Sequence, residues 1–242
     1  MKNTERKKGF TLIELLVVIT IIGILAGIAF VGFGDVFSTA GRTTAQKNLK
    51  TVYEALAAKT RSFPMTGSSS LDEASVEGFI VWWRKKTNDT RPELWFIGED
   101  EKVKDLQGDE SGPGVPANIS DEVGLEGEQK EALGYCVALP GEDAETKNFL
   151  TSLKSGAFPL IWSRGLDAGD DKWSADGSWG GEGGHVLFSD GTVKWFDDTK
   201  GGNEEGVFIT AINKEDGPDK KAESTSDIKS ALPKGWEIYK PE

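Results

Sequence analysis

Residues 15 to 33, LLVVITIIGILAGIAFVGF, are nineteen consecutive uncharged and mostly apolar positions, and such a run leaves a chain few options. At 1.5 Å rise per residue, a helix over them reaches roughly 28 Å, about the hydrocarbon thickness of a bilayer. The run therefore predicts a membrane span. Lys2, Arg6, Lys7 and Lys8 lie just before it. By the positive-inside rule they stay cytoplasmic, and everything after Asp35 is placed outside.

The order of signals is unusual. A secretory address places its small-residue cleavage site after the apolar run and is discarded. Here Gly9 stands before the run, so a cut between Gly9 and Phe10 leaves the apolar helix on the mature protein. That arrangement suits a helix used for assembly. Glu14 sits at the edge of the same segment, where a carboxylate costs about 2.5 to 3.5 kcal/mol on insertion scales unless paired. The amine freed at Phe10 is the expected mate, on the same helix or, as preferred here, on a neighbouring subunit, where pairing sets an axial stagger. Snorkelling to the interface is the plainer alternative.

The segment KKGFTLIELLVVITIIGILAGIA resembles the processing and methylation region of type IV prepilins and type II secretion pseudopilins, over about residues 6 to 33. In that family a dedicated inner-membrane peptidase cuts after the glycine matching Gly9 and methylates the amine of the residue matching Phe10. The family's glutamate at the fifth mature position matches Glu14. The resemblance implies a pilin-like α+β fold, in which a long N-terminal helix carries a small antiparallel sheet with long loops. It also implies other pilin or pseudopilin subunits as partners, and an inner-membrane platform with a separate ATPase. No GxxxxGK[ST] loop is present to power assembly from within.

Four regions are expected on this basis: a leader over 1–9, a transmembrane and assembly helix over 10–34, an amphipathic helix over 35–63, and an extracytoplasmic head over 64–242. Ala45, Leu49, Val52, Tyr53 and Leu56 form an apolar stripe at helical spacing. Gly32, Gly34 and Gly41 predict bending or melting, and Pro64 predicts the helix end.

In the head, Trp82, Trp83, Trp95 and Phe96 read as packing aromatics, with a ligand-stacking surface as the alternative. The stretch 99–131 is acidic, carries Gly-Pro-Gly at 112–114, and reads as a loop. Short strands are expected at 134–139, 158–162, 186–189, 192–196 and 207–212. In HVLFSDGTVKWF, Asp190-Gly191 predicts a two-residue hairpin turn that pairs Phe188 with Val193 and Val186 with Trp195, presenting an apolar face to the amphipathic helix. That hairpin also resembles a glycine-rich C-terminal element of prepilin-associated proteins, although its spacer of four residues between His185 and Asp190 is short.

Residues 1–9 hold four basic groups against Glu5, so their loss takes the net charge from −12 to −15. Such a surface repels nucleic acid, and no nucleic-acid partner is expected. Cys136 is the single cysteine, which leaves no intramolecular disulfide to staple the C-terminal loops. Pseudopilins often use calcium instead. Asp167, Asp170, Asp171, Asp176 and Glu182 are its candidate ligands, though their spacing is not that of an EF-hand and a solvated acidic loop accounts for them equally well.

His185 is the single histidine, too little for a His-based triad or a zinc site. It reads as structural, and Cys136 reads as a core residue. The expected function is a structural subunit of a secretion pseudopilus or of a type IV pilus for adhesion, motility or DNA uptake. The alternative is a membrane-tethered module that binds a glycan or calcium and does not polymerise.

Overall fold

The computed structural model describes residues 11–60, 62–64, 71, 74–120, 124–144, 148, 153, 155–213 and 216–242, with backbone alone for 25–38. Gly9 and Phe10 lie outside the described residues. Two compact units divide the chain at Arg42/Thr43.

Helix α1 (Leu12–Lys59) crosses that division. It is helical at Gly32, Gly34 and Gly41, so the expected melting does not occur there. The cost of about 1 kcal/mol per glycine is small beside the hydrogen-bond ladder of 48 residues. The helix stops at Lys59, before Pro64 would impose its limit. Among the described residues no helix is long and apolar enough to cross a membrane. The expected span over 15–33 falls partly on 25–38, whose side chains lie outside the described set.

In the second unit the α1 stripe behaves as its spacing predicts. Ala45, Leu49, Val52 and Leu56 are buried and Tyr53 is half-buried against the core. Helix α2 (Val76–Thr87) starts where the Ser75 hydroxyl accepts the Gly78 N–H at 3.0 Å, and ends where Asn88 turns left-handed. It buries Phe79, Ile80, Trp82 and Trp83. Trp83 meets Trp95 edge-on at 5.2 Å, and its Nε1 donates to the Val52 carbonyl of α1 at 3.4 Å. All three tryptophans are core anchors, so the ligand-stacking alternative for them is discarded.

The acidic stretch is more ordered than a loop. It holds α3 (Glu101–Gly108) and α4 (Gly127–Glu131). Asp100 caps α3 by accepting the Lys102 N–H at 3.1 Å, while Glu126 and Gln129 form a capping box on α4. Caps of this kind offset the weak propensity of such short, charged segments.

The main sheet is built from β1 (Tyr135–Pro140), β2 (Pro159–Ser163), β3 (Gly184–Phe188), β4 (Val193–Phe196) and, after a separate ribbon of β5 (Phe208–Ile209) and β6 (Ser224–Thr225), β7 (Trp236–Tyr239). Its five strands are antiparallel, in the order β4-β3-β2-β1-β7. Strands β1 and β2 are buried throughout. The expected strand over 207–212 shrinks to β5, which pairs with β6 alone. The fifth strand of the main sheet is instead β7, whose Ile238 lies opposite Ala138 of β1.

The β3–β4 register differs from expectation by one residue. Leu187 lies opposite Val193 and His185 opposite Trp195. The Phe188 N–H donates to the Thr192 carbonyl at 2.9 Å, closing a three-residue loop of Ser189, Asp190 and Gly191. Gly191, at φ +82°, is the left-handed residue such a loop requires. Ser189 is drawn off the hairpin by Phe158, just before β2: its N–H donates to the Phe158 carbonyl at 2.8 Å and its hydroxyl accepts the Phe158 N–H at 3.1 Å. A slip of one residue exchanges faces, so Phe188 packs towards Phe196 and Phe208 rather than Val193.

Candidate functional site

The first unit presents one feature. Leu12, Ile13, Leu15, Leu16, Val17, Val18, Ile19, Ile21, Ile22 and Ile24 are all exposed, by 45 to 82%. Their positions run round the whole helix, so no single face accounts for them. A soluble surface does not carry apolar area of this extent without something to cover it.

Glu14 lies in this stretch and has a partner the spacing argument missed. The Thr11 N–H and hydroxyl both donate to Glu14 Oε2, at 2.9 and 2.6 Å, and the Glu14 N–H donates back to Thr11 Oγ1 at 3.4 Å. This is a reciprocal capping box on the first turn of α1. Thr11-Leu-Ile-Glu14 is the Thr-x-x-Glu signature that heads an apolar run, so the signal was available in the sequence. A carboxylate in this position also opposes the positive end of the helix dipole.

The acidic residues of the second unit are spread among structural tasks. Asp167 Oδ2 meets Lys240 Nζ at 2.6 Å, and Asp171 Oδ2 meets Lys200 Nζ at 2.9 Å. Lys200 and a bond from Ser226 hold the Asp171 carboxyl below the usual range. Asp170 Oδ2 accepts the Asp167 N–H at 3.3 Å. Asp176 contributes its backbone carbonyl to the Arg164 guanidinium, and the Glu182 N–H turns back to Trp179. Among the described residues no group of three or more His, Cys, Asp or Glu side chains is gathered to hold a metal ion. Asp167, Asp170, Asp171, Asp176 and Glu182 are therefore not gathered into such a group.

Beneath this loop lies a buried ion pair that sequence reasoning did not foresee. Arg164 Nη2 lies 2.8 and 2.7 Å from the two oxygens of Asp100, and Arg164 Nε donates to the Leu133 carbonyl at 3.2 Å. One guanidinium thereby ties the α3 cap, the start of β1 and the β2–β3 loop. Aspartate and arginine 64 positions apart give no signal in a linear reading.

His185 is buried on β3 between two indoles, with ring centroids 5.7 Å from Trp179 and 4.9 Å from Trp195. Cys136 is buried on β1, where desolvation first and Asp167 second push its thiol up to about 12. Both are packing residues here.

A helix exposing apolar side chains on every side, continued into an α+β head with a closed core, is a pilin-like arrangement. Residues 5–30 match the prokaryotic N-terminal methylation motif, so the N-terminal segment is of prepilin type. The chain is 48% identical over 50 residues to the type IV major pilin protein PilA of Myxococcus xanthus, covering 21% of this chain and 23% of that one. It is 39% identical over 88 residues to fimbrial protein Q of Moraxella bovis, covering 36% of this chain and 46% of that one. The chain thus spans less than half the length of these curated relatives. No solved structure matches it. The motif and these two likenesses support the role of a structural pilus subunit.

Proposed function

We propose that the chain is a filament subunit of a type II secretion pseudopilus or type IV pilus, assembled through its N-terminal helix. Residues 1–9 act as a leader removed by a prepilin peptidase between Gly9 and Phe10, and the same enzyme methylates the Phe10 amine. Residues 10–34 then hold the subunit in the bacterial inner membrane in a single pass, with the amphipathic helix over 35–63 and the head over 64–242 in the periplasm. Assembly proceeds from an inner-membrane platform driven by a separate ATPase. In the filament, Glu14 engages the Phe10 amine of a neighbour while keeping its bonds to Thr11.

The observation that carries this reading is the apolar exposure round α1 from Leu12 to Ile24. Lipid covers that surface before assembly and other copies of the helix cover it afterwards. A carboxylate accepts at up to about four lone-pair sites, so the Thr11 cap leaves room on Glu14 for an incoming ammonium.

Mass spectrometry of the N-terminus of membrane-derived protein tests the proposal. A methylated Phe10 terminus is expected, and an intact Met1 sinks it. Glu14→Ala separates a polymer from a tethered module: the variant should be cleaved normally yet lose sedimentable filament.

A further inference from the structure

We propose that the exposed face of α1 from Thr43 to Lys50 is a docking surface for a second copy of this chain, which presents its acidic α3–α4 segment there. The inference rests on the filament reading and names a contact between heads that the apolar helices do not supply.

Outside α1, Ile209 is the one large hydrophobic residue that is exposed among the described residues. The described surface of the head therefore offers little large apolar area, and charge is what it offers to specify a contact. The charge is unevenly distributed. Residues 43–64 carry Lys47, Lys50, Lys59 and Arg61 against Glu54, a net of +3, whereas 99–131 carries eleven acids against three lysines, a net of −8. Like-charged heads brought together at close range repel unless opposite patches are set face to face.

Both patches border open grooves. Lys47 and Lys50 line one of about 650 Å³ between α1 and the β3–β4 turn, together with Thr43, Gln46 and Tyr53, and Glu54 and Asp190 line it as well. Lys47 and Lys50 are exposed and form no ion pair among the described residues. The second groove, of about 360 Å³, lies between α3 and α4 and is lined by Lys102, Asp105, Leu106, Asp109, Glu128 and Glu131. Lys102 is taken by Glu131 at 3.1 Å. Asp105 and Glu128 are exposed and likewise form no ion pair among the described residues.

Leu106 gives the second groove an apolar floor. A lysine fits such a place well, laying its methylene stem on the leucine and its ammonium between carboxylates. The two grooves share no residue. A contact between them is heterologous, with Lys47 and Lys50 of one copy against Asp105 and Glu128 of the next. Such a contact leaves a free face at each end, and wherever its rotation does not close a ring it propagates as an open polymer.

The test uses the full chain assembled on its native membrane. A Lys47→Glu/Lys50→Glu variant should lose sedimentable polymer about tenfold, and adding Asp105→Lys/Glu128→Lys should restore most of it. Carbodiimide coupling of mixed isotope-labelled and unlabelled chains should give inter-copy links from Lys47 or Lys50 to Asp105, Asp109 or Glu128. Links should fade as salt shortens the screening length from about 10 Å at 0.1 M to about 3 Å at 1 M. Normal polymer from the double-lysine variant, or abundant inter-copy links that avoid these residues, overturns the docking contact and leaves the filament reading intact. Absence of any polymer from the unmodified chain overturns both.

Discussion

Helix α1 has two ends governed by opposite rules. From Leu12 to Ile24 its large apolar side chains stand exposed on every side, whereas from Ala45 to Leu56 the apolar positions form one stripe at helical spacing and are buried. The polar residues between them, such as Gln46 and Lys50, face outward. The first end has no cover among the described residues, and the second finds it in the head. Where apolar residues lie round a helix, rather than how many there are, separates a segment that completes a fold from one that awaits other molecules.

The sharpest way to break that contrast is to attack the head where it is most committed. Arg164→Ala leaves Asp100, 1% exposed, as a buried charge without its partner. About 3 to 5 kcal/mol of head stability should be lost, measured by denaturant unfolding followed by tryptophan fluorescence. A loss under about 1 kcal/mol would show that the pair is not a lock.

Two leucines on the one helix give a paired test. Leu49→Ala opens a cavity at a fully buried position and should cost about 2 to 5 kcal/mol. Leu16→Ala, half exposed, should change the unfolding of the same chain by no more than about 0.5 kcal/mol. Equal effects from both would erase the distinction between the two ends.

The smallest effect is one of pH. Burial raises the Asp227 carboxyl, but bonds from the Ser230 hydroxyl and from the Gly169, Lys229 and Ser230 N–H groups more than offset it and hold the group below its usual range. A lowered folded pKa contributes stability that is present above the unfolded value, about 3.9, and fades as pH falls through the folded value. Hydrogen-exchange protection factors at Gly169 and Ser230 should therefore fall as pH drops below about 4, while that at Leu49 in α1 stays high. Asp227→Asn should remove the pH dependence at those two amides.

Much of the architecture was legible because it rests on periodicity. The stripe on α1, the tryptophan anchors and four of the five sheet strands follow from spacing and from β-branched or aromatic runs bounded by turns. Strand β7 was missed because Trp236-Glu-Ile-Tyr239 is short, lies between Pro233 and Pro241, and shows charge on its exposed face. The hairpin register was missed for a different reason. A turn dipeptide reports local preference only, and Ser189 answers to Phe158 on a segment 31 positions away.

The N-terminal site divides the same way. Glu14 stands out in a linear reading, and its local mate Thr11 is visible there as a capping signature. Among the acidic loop residues, Asp167 and Asp171 are engaged by Lys240 and Lys200, pairings that a string of letters, which gives no separations, does not reveal.

One phenol settles how α1 seats on the sheet. Tyr53 donates to the Ser189 carbonyl at 3.0 Å, and a Cβ on Gly191 would collide with its ring. Burial first and the Asp190 charge second raise its hydroxyl pKa, so it stays a donor. Sliding the helix by one turn, about 5.4 Å, would pull the ring out of this notch. Tension along the helix axis therefore meets a mechanical catch at one residue, and the grip depends on a glycine too small to push back.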